Sequence, residues 1–174
     1  MSDPNLIFTG ERFLPTEAGN IALEHLHRYF QAREIAAGKV VLDIASGEGY
    51  GSAILAEAAL SVTGVDISDE AVAHARRRYQ RDNLQYLVGD CAQIPLPDAS
   101  VDMVVSFETI EHHNRHEEML REIKRVLRED GVLLISSPDK KYYSDELNYS
   151  NPYHVKELYR DEFEALIGRH FRQG

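Results

Sequence analysis

One stretch constrains this chain more than any other: Val40-Val41-Leu42-Asp43-Ile44-Ala45-Ser46-Gly47-Glu48-Gly49-Tyr50-Gly51. An apolar run with an acid near its end passes into a turn of small residues, and a helix-forming segment begins at Gly51 and Ser52. A buried strand that turns tightly into a helix N-terminus leaves backbone N–H groups facing a ligand. The rest of the chain supplies walls for that place.

The remainder alternates between short apolar runs and amphipathic segments. Asn20 caps a helix expected over 21–37, with Leu23, Leu26, Phe30 and either Arg33 or Ile35 on one side, and Gly38 ends it. Strands are expected at 40–44, 61–66, 84–88, 101–106 and 132–136, the last after an Asp130-Gly131 turn. Helices are expected at 51–59, 69–80, 116–128 and 160–167. Strands separated by helices pair in parallel through right-handed crossovers, so the fold class is α/β, a doubly wound sheet with helices on both faces. The ligand then belongs beyond the carboxyl ends of the strands, beside the first one. Residues 1–19 read as an irregular arm whose Leu6, Ile7, Phe8, Phe13 and Leu14 lie against something.

Composition narrows the partners. A chain of 174 residues suits one domain with a single large core. Its net charge of -10 argues against gripping a nucleic-acid backbone, which takes clustered Lys and Arg. No apolar run is long enough for membrane insertion, and the first residues lack a secretory pattern, so a cytoplasmic location is expected. Cys91 is the single cysteine, which rules out an internal disulfide.

The loop itself selects the ligand. A dinucleotide site places G-x-G-x-x-G directly after the strand so that pyrophosphate can approach. Here Asp43 comes first, and a carboxylate repels pyrophosphate but holds an ammonium or amino-acid head group. Asp66, at the end of the second strand, is placed to accept both ribose hydroxyls. The guest is a ribonucleoside joined to an amino acid, which describes S-adenosylmethionine. Each piece alone has a plainer reading: the glycines as a strand–helix turn, Asp66 or Asp69 as a helix cap, Asp90 as a cap for the turn at Cys91.

From Lys39 to Ser137 the sequence resembles the class I S-adenosylmethionine-dependent methyltransferases, with alanine at Ala45 where that family usually has glycine. Alanine still allows close packing but makes a positive φ costly. The resemblance implies a three-layer αβα Rossmann-like sandwich with a parallel sheet of order 3-2-1-4-5. It also implies cofactor contacts from Asp43, Ala45, Gly47, Gly49, Asp66, Ile67, Asp90, Cys91 and Phe107. Gly64-Val65-Asp66-Ile67-Ser68 resembles the ribose turn and Gly89-Asp90-Cys91 the adenine segment; Pro95–Ser106 and Arg125–Gly131 are also typical.

After the fourth strand comes Glu108-Thr109-Ile110-Glu111-His112-His113. Glu-x-x-Glu-His resembles the metal motif of ubiquinone-pathway O-methyltransferases and small-RNA terminal 2′-O-methyltransferases. The segment around His154 is similar to the later histidine segment of the second group. The resemblance therefore implies Mg²⁺, Mn²⁺ or Zn²⁺ held by Glu108, Glu111, His112 and His154, with His112 and His154 as catalytic groups. Relatives without metal use such a histidine as a hydrogen-bonding group or base. His113 and His116 read as solvated, and Glu24, His27 and Arg28 as a helix face near the methionine end of the donor.

These readings divide the chain into an arm and covering helix (1–37), a cofactor core (38–137) and an acceptor-side segment (138–174). The family's last two strands are expected to be missing, which leaves the fifth strand as an edge suited to a homodimer or to a missing C-terminal part. The expected activity is methyl transfer to a small-molecule or saccharide hydroxyl. The arm 8–13 and the Glu-His-Leu-His-Arg-Tyr helix resemble methyltransferase domains found beside glycosyltransferases. The alternatives are a non-catalytic cofactor-binding module of a larger protein, an aminopropyl-transferring relative, and a dinucleotide oxidoreductase, which Asp43 opposes.

Overall fold

The computed structural model describes residues 20–172, with side chains from residue 25 onward. The arm at 1–19, the Asn20 cap, Leu23 and Glu24 lie outside that description. In chain order the elements are α1 (Asn20–Ala36), β1 (Val40–Ile44), α2 (Tyr50–Leu55), β2 (Ser61–Asp66), α3 (Asp69–Arg78) and β3 (Leu84–Val88). There follow β4 (Val101–Phe107), α4 (His116–Val126), β5 (Leu127–Ser136) and α5 (Arg160–His170). A 3₁₀ turn lies at Ile110–His112 and a π-helical turn at Lys141–Asp145.

All five strands are parallel, in the order β3-β2-β1-β4-β5. β1 lies at the centre, with Val41 opposite Val62 on one side and Met103 on the other. Alternation divides the core into two halves. Leu42 and Ile44 face the cluster built by Met119, Leu120, Ile123 and Val126 of α4, while Val41 faces Tyr29, Ala32 and Leu55 from α1 and α2. Each such large side chain, once buried, contributes roughly 1.5–3 kcal/mol. Asp43, two residues after Val41, therefore falls on the face covered by α1 and α2. No helix among the described residues is long and apolar enough to cross a membrane.

Several boundaries and faces differ from expectation. α1 buries Tyr29, Ala32 and Ala36, and leaves Phe30 and Ile35 each 43% exposed, so its inner face is rotated from the stripe the apolar residues suggested. Small residues win those positions because α1 sits close against α2: a Cβ on Gly51 would lie 2.1 Å from the Tyr29 ring. Regular α2 stops at Leu55 and passes into turns held by Ala59 N–H donating to Leu55 O at 3.0 Å. α3 stops at Arg78 because Tyr79 is extended. β5 starts at Leu127, five residues early, and its register accommodates the Asp130-Gly131 irregularity. Val101 pairs with Leu127 and Met103 with Val132, so β5 takes five steps against two of β4. As the outer strand, β5 has half-exposed Leu133, Leu134 and Ile135 and a 38% exposed Val132.

Candidate cofactor and acceptor site

The predicted residues lie at or beyond the carboxyl ends of β1, β2, β3 and β4, with His154 added from the segment between β5 and α5. The loop after β1 contains three left-handed residues: Ala45 (φ 58), Gly47 (φ 56) and Gly49 (φ 98). Ala45 takes the conformation that its side chain disfavours, at a cost of roughly 1–2 kcal/mol. At Gly49 a Cβ would strike Ala75 and the Tyr86 ring, and the Tyr86 hydroxyl donates to Gly49 O at 2.8 Å. Ser46 N–H donates to Val65 O at 3.0 Å and Gly47 N–H to Asp66 Oδ2 at 2.8 Å, which ties the loop to β2.

Asp43 supports this loop from behind. It is fully buried, with Oδ1 accepting from Tyr29 at 3.1 Å and Oδ2 from Ser52 Oγ at 2.6 Å. Burial pushes its carboxyl up to about 7, while the two hydroxyl donors pull the other way. The expected direct contact with a ligand head group is thus not the arrangement here, because the side chain is fully buried beneath Tyr29 and Ser52 and faces no open space. Asp66 accepts Gly47 N–H and, at 2.9 Å, Ser68 N–H. A carboxylate has about four acceptor sites, so it retains capacity for hydroxyls. The cap of α3 is Ser68, accepting Ala71 N–H at 3.2 Å, in place of Asp69.

Beside Asp66, Ile67 is 71% exposed and Val88 is also exposed, which makes an apolar rim. Asp90 accepts Ala92 N–H at 2.8 Å and pairs with Arg115. Burial would raise its carboxyl, but Arg115 and the Ala92 N–H outweigh that and hold it below the usual value. Burial pushes the adjacent Cys91 thiol up to about 11. His113 is half-buried against Cys91 and Met119, and burial brings it down to about 4; His116 is buried, its Nε2 donating to His113 O at 2.7 Å. Neither is the solvated residue the sequence suggested, since α4 packs its first turn under this loop. Phe107 lies edge-on to Tyr29 at 5.1 Å.

The cradle fits a nucleoside joined to an amino acid. Ser46 Oγ is buried in the loop with no hydrogen-bond partner among the described residues. A Cβ at Gly47 would meet nothing within 4 Å, so the loop faces open space.

On the acceptor side, β4 is followed by Glu108, itself left-handed at φ 50. Its Oε1 accepts Ser136 Oγ at 2.6 Å and lies 3.8 Å from the Arg28 guanidinium. Arg28 therefore meets this side of the cleft. Glu111 is buried in the 3₁₀ turn, where burial and the Glu108 charge push its carboxyl up to about 8. One ligand atom each from Glu111, His112 and His154 lie within 4.8 Å of one another. A carboxylate and two imidazoles are a donor set suited to Mn²⁺ or Zn²⁺ and, less well, Mg²⁺. Glu108, the fourth expected ligand, is not part of that cluster, because Ser136 and Arg28 engage its carboxylate. Sequence reasoning missed Ser136, Ser144, Asn151 and Glu157. Glu157 carried a local signal, its spacing of three residues from His154.

A glycine loop on the central strand of a 3-2-1-4-5 parallel sheet, with acids at the ends of β1 and β2, defines a class I, Rossmann-like S-adenosylmethionine-dependent methyltransferase domain. The chain belongs to the methyltransferase domain family, which it matches over residues 42–135. It is 38% identical to a probable S-adenosylmethionine-dependent methyltransferase of Mycolicibacterium smegmatis, over 96% of this chain and 68% of that protein. A similarly described protein of Mycobacterium tuberculosis is 36% identical over 93% of this chain and 60% of its own length. The chain thus spans roughly two thirds of these relatives. Among solved structures, the YcgJ protein of Bacillus subtilis superposes with a TM-score of 0.74 at 25% identity, covering 84% of this chain and 68% of that one.

Proposed function

We propose that this domain transfers a methyl group from S-adenosylmethionine to a hydroxyl of a small-molecule or saccharide acceptor, with a divalent cation held by Glu111, His112 and His154. The observation that carries this reading is the placement of that triad beyond β4, next to the glycine loop of β1.

When bound, S-adenosylmethionine supplies an electrophilic methyl on a sulfonium. Ser46 Oγ orients its methionine end from a loop supported from behind by Asp43 through Tyr29 and Ser52. Asp66 accepts the ribose hydroxyls, Ile67 packs against the base, and Asp90 and the Cys91 backbone meet its edge. Glu111, His112 and His154 would hold a cation that would supply polarisation of the acceptor hydroxyl, which matters because a neutral alcohol is a poor nucleophile. The oxygen–carbon bond forms as the carbon–sulfur bond breaks, the hydroxyl proton passes to water, and the thioether leaves with both bonding electrons. The chain contributes chiefly alignment and exclusion of water.

Oxygen as the acceptor atom is supported by the metal-type donor set and by a fatty-acid O-methyltransferase of Mycolicibacterium smegmatis, 32% identical over 60% of this chain. A saccharide is supported by the exposed rings of Tyr142, Tyr149, Tyr153 and Tyr159, which suit stacking on a sugar face. A second reading, without metal, is favoured by His154 Nδ1 lying 2.5 Å from Glu157. There His154, backed by Glu157, takes the hydroxyl proton on Nε2. The half-exposed outer strand β5 also suits a homodimer contact, which light scattering at high concentration tests.

Calorimetry with S-adenosylmethionine and with NAD, followed by turnover on a panel of sugars, catechols and fatty acids, tests the proposal. Saturable S-adenosylmethionine binding without turnover on any acceptor would instead support a non-catalytic module of a larger protein. Full activity after chelation would leave the metal-free reading.

A further inference from the structure

The two imidazoles of the triad are held in one tautomer. His112 Nδ1 lies 3.1 Å from Tyr153 O, and a carbonyl only accepts, so this nitrogen carries the proton. For His154 the assignment comes from both sides of the ring. Asn151 Oδ1 accepts Tyr153 N–H at 3.0 Å and its Nδ2 donates to Tyr143 Oη at 3.0 Å, which fixes the orientation of the amide. The same Nδ2 lies 3.1 Å from His154 Nε2, and an amide nitrogen only donates, so Nε2 accepts. The proton is then on Nδ1, 2.5 Å from Glu157 Oε1. Both rings consequently carry their basic nitrogen at Nε2, and in His154 that lone pair accepts from Asn151, so an ion bound there must displace the Asn151 amide.

Glu157 is itself held. Its Oε2 accepts Ser144 Oγ at 2.5 Å, from the π-helical turn, and its side chain is 10% exposed against 6% for His154. The Tyr143 ring stacks on His154 at 5.1 Å, and His112 meets His154 edge-on at 5.1 Å. The segment carrying them is anchored to the triad's own backbone: Val155 and Lys156 N–H both donate to Glu111 O, at 2.8 and 3.1 Å.

From this arrangement we infer that Glu157 is a positioning residue for the metal triad. It fixes the tautomer and ring angle of His154, as the Tyr153 carbonyl does for His112, and Ser144 keeps the carboxylate in place. An acceptor behind a ligating imidazole raises its basicity and fixes its orientation, and loss of such a partner commonly costs ~10–100-fold in metal affinity. The inference rests on the metal reading proposed above.

The test is titration of the full chain with Mn²⁺ and with Zn²⁺, read by calorimetry, for the wild type, Glu157→Gln and Ser144→Ala. S-adenosylmethionine affinity and melting temperature are measured on the same samples. Metal affinity is expected to fall at least tenfold in Glu157→Gln and less, in the same direction, in Ser144→Ala, with S-adenosylmethionine affinity changed less than twofold. If Glu157→Gln does not fold, Ser144→Ala alone decides, with a threefold loss as the threshold. Wild-type metal affinity in the variants overturns the inference and leaves the metal reading standing. An equal loss of metal and S-adenosylmethionine affinity also overturns it, by showing a merely structural role. A wild type that takes neither ion overturns the metal reading first.

Discussion

The hydroxyl of Tyr29 donates to the buried carboxylate of Asp43 at 3.1 Å, across the contact between α1 and the central strand. An acid inside the core is thus kept by two hydroxyls, one from a covering helix and one from Ser52 at the start of α2. The loop that follows this acid is tied in turn to β2 through the Ser46 and Gly47 N–H groups.

Asp43 makes stability depend on pH. Its carboxyl rises from 3.8 to about 7 on folding, so the folded state favours the protonated form. That contribution is full below about pH 4 and is lost as pH climbs through 7. In Asp43→Asn, stability relative to wild type should therefore improve between pH 5 and pH 8, by up to about 2.5 kcal/mol, the rest of the shift being expressed between pH 4 and pH 5. Urea denaturation at the two pH values measures it, and a difference that stays flat contradicts the assignment.

Gly51 and Tyr29 should behave as one unit. Gly51→Ala drives a methyl into the Tyr29 ring, costing about 1–3 kcal/mol by overpacking, and it weakens S-adenosylmethionine binding by shifting α1. In the Tyr29→Leu background the same substitution should cost clearly less. A double-mutant cycle on melting and binding supplies the comparison; strict additivity would show that the two do not meet.

Ala45→Gly should stabilise the protein by about 1 kcal/mol, since it relieves a left-handed alanine at φ 58. Thermal unfolding decides this. A loss of stability would mean that the alanine methyl contributes packing worth more than its backbone strain.

Chelation should abolish most turnover on a hydroxyl acceptor, and Mn²⁺ should restore it. Glu111→Gln and His154→Ala should each lower kcat at least tenfold while leaving S-adenosylmethionine affinity near wild type, because both lie outside the cradle of Ser46, Gly47 and Asp66. Calorimetry beside single-turnover rates separates binding from chemistry.

What could be read without coordinates followed the chemistry of local pattern. Apolar runs at strand length located all five strands, and alternation with helices was enough for a parallel sheet. The acids at the ends of β1 and β2 marked the cofactor side. Asp43, expected to face the ligand, is buried under α1 and α2, because spacing tells which residues end a strand, not which helix lies over them. α1 was misjudged for a related reason: close approach to α2 rewards Ala32, Ala36 and an aromatic above Gly51 over larger aliphatics. On the acceptor side Glu111, His112 and His154 were legible from residue type, whereas Asn151 and Ser144 were not. Their roles arise from an irregular segment folded back onto Glu111 O, and such contacts leave no period in the sequence.

Consecutive residues of α1 touch both halves of the cleft, Tyr29 through Asp43 and Arg28 through Glu108. A rigid helix cannot release one without disturbing the other. The linkage predicts compulsory order, with the donor seated before the acceptor, and product-inhibition kinetics should show the thioether competing with the donor but not with the acceptor.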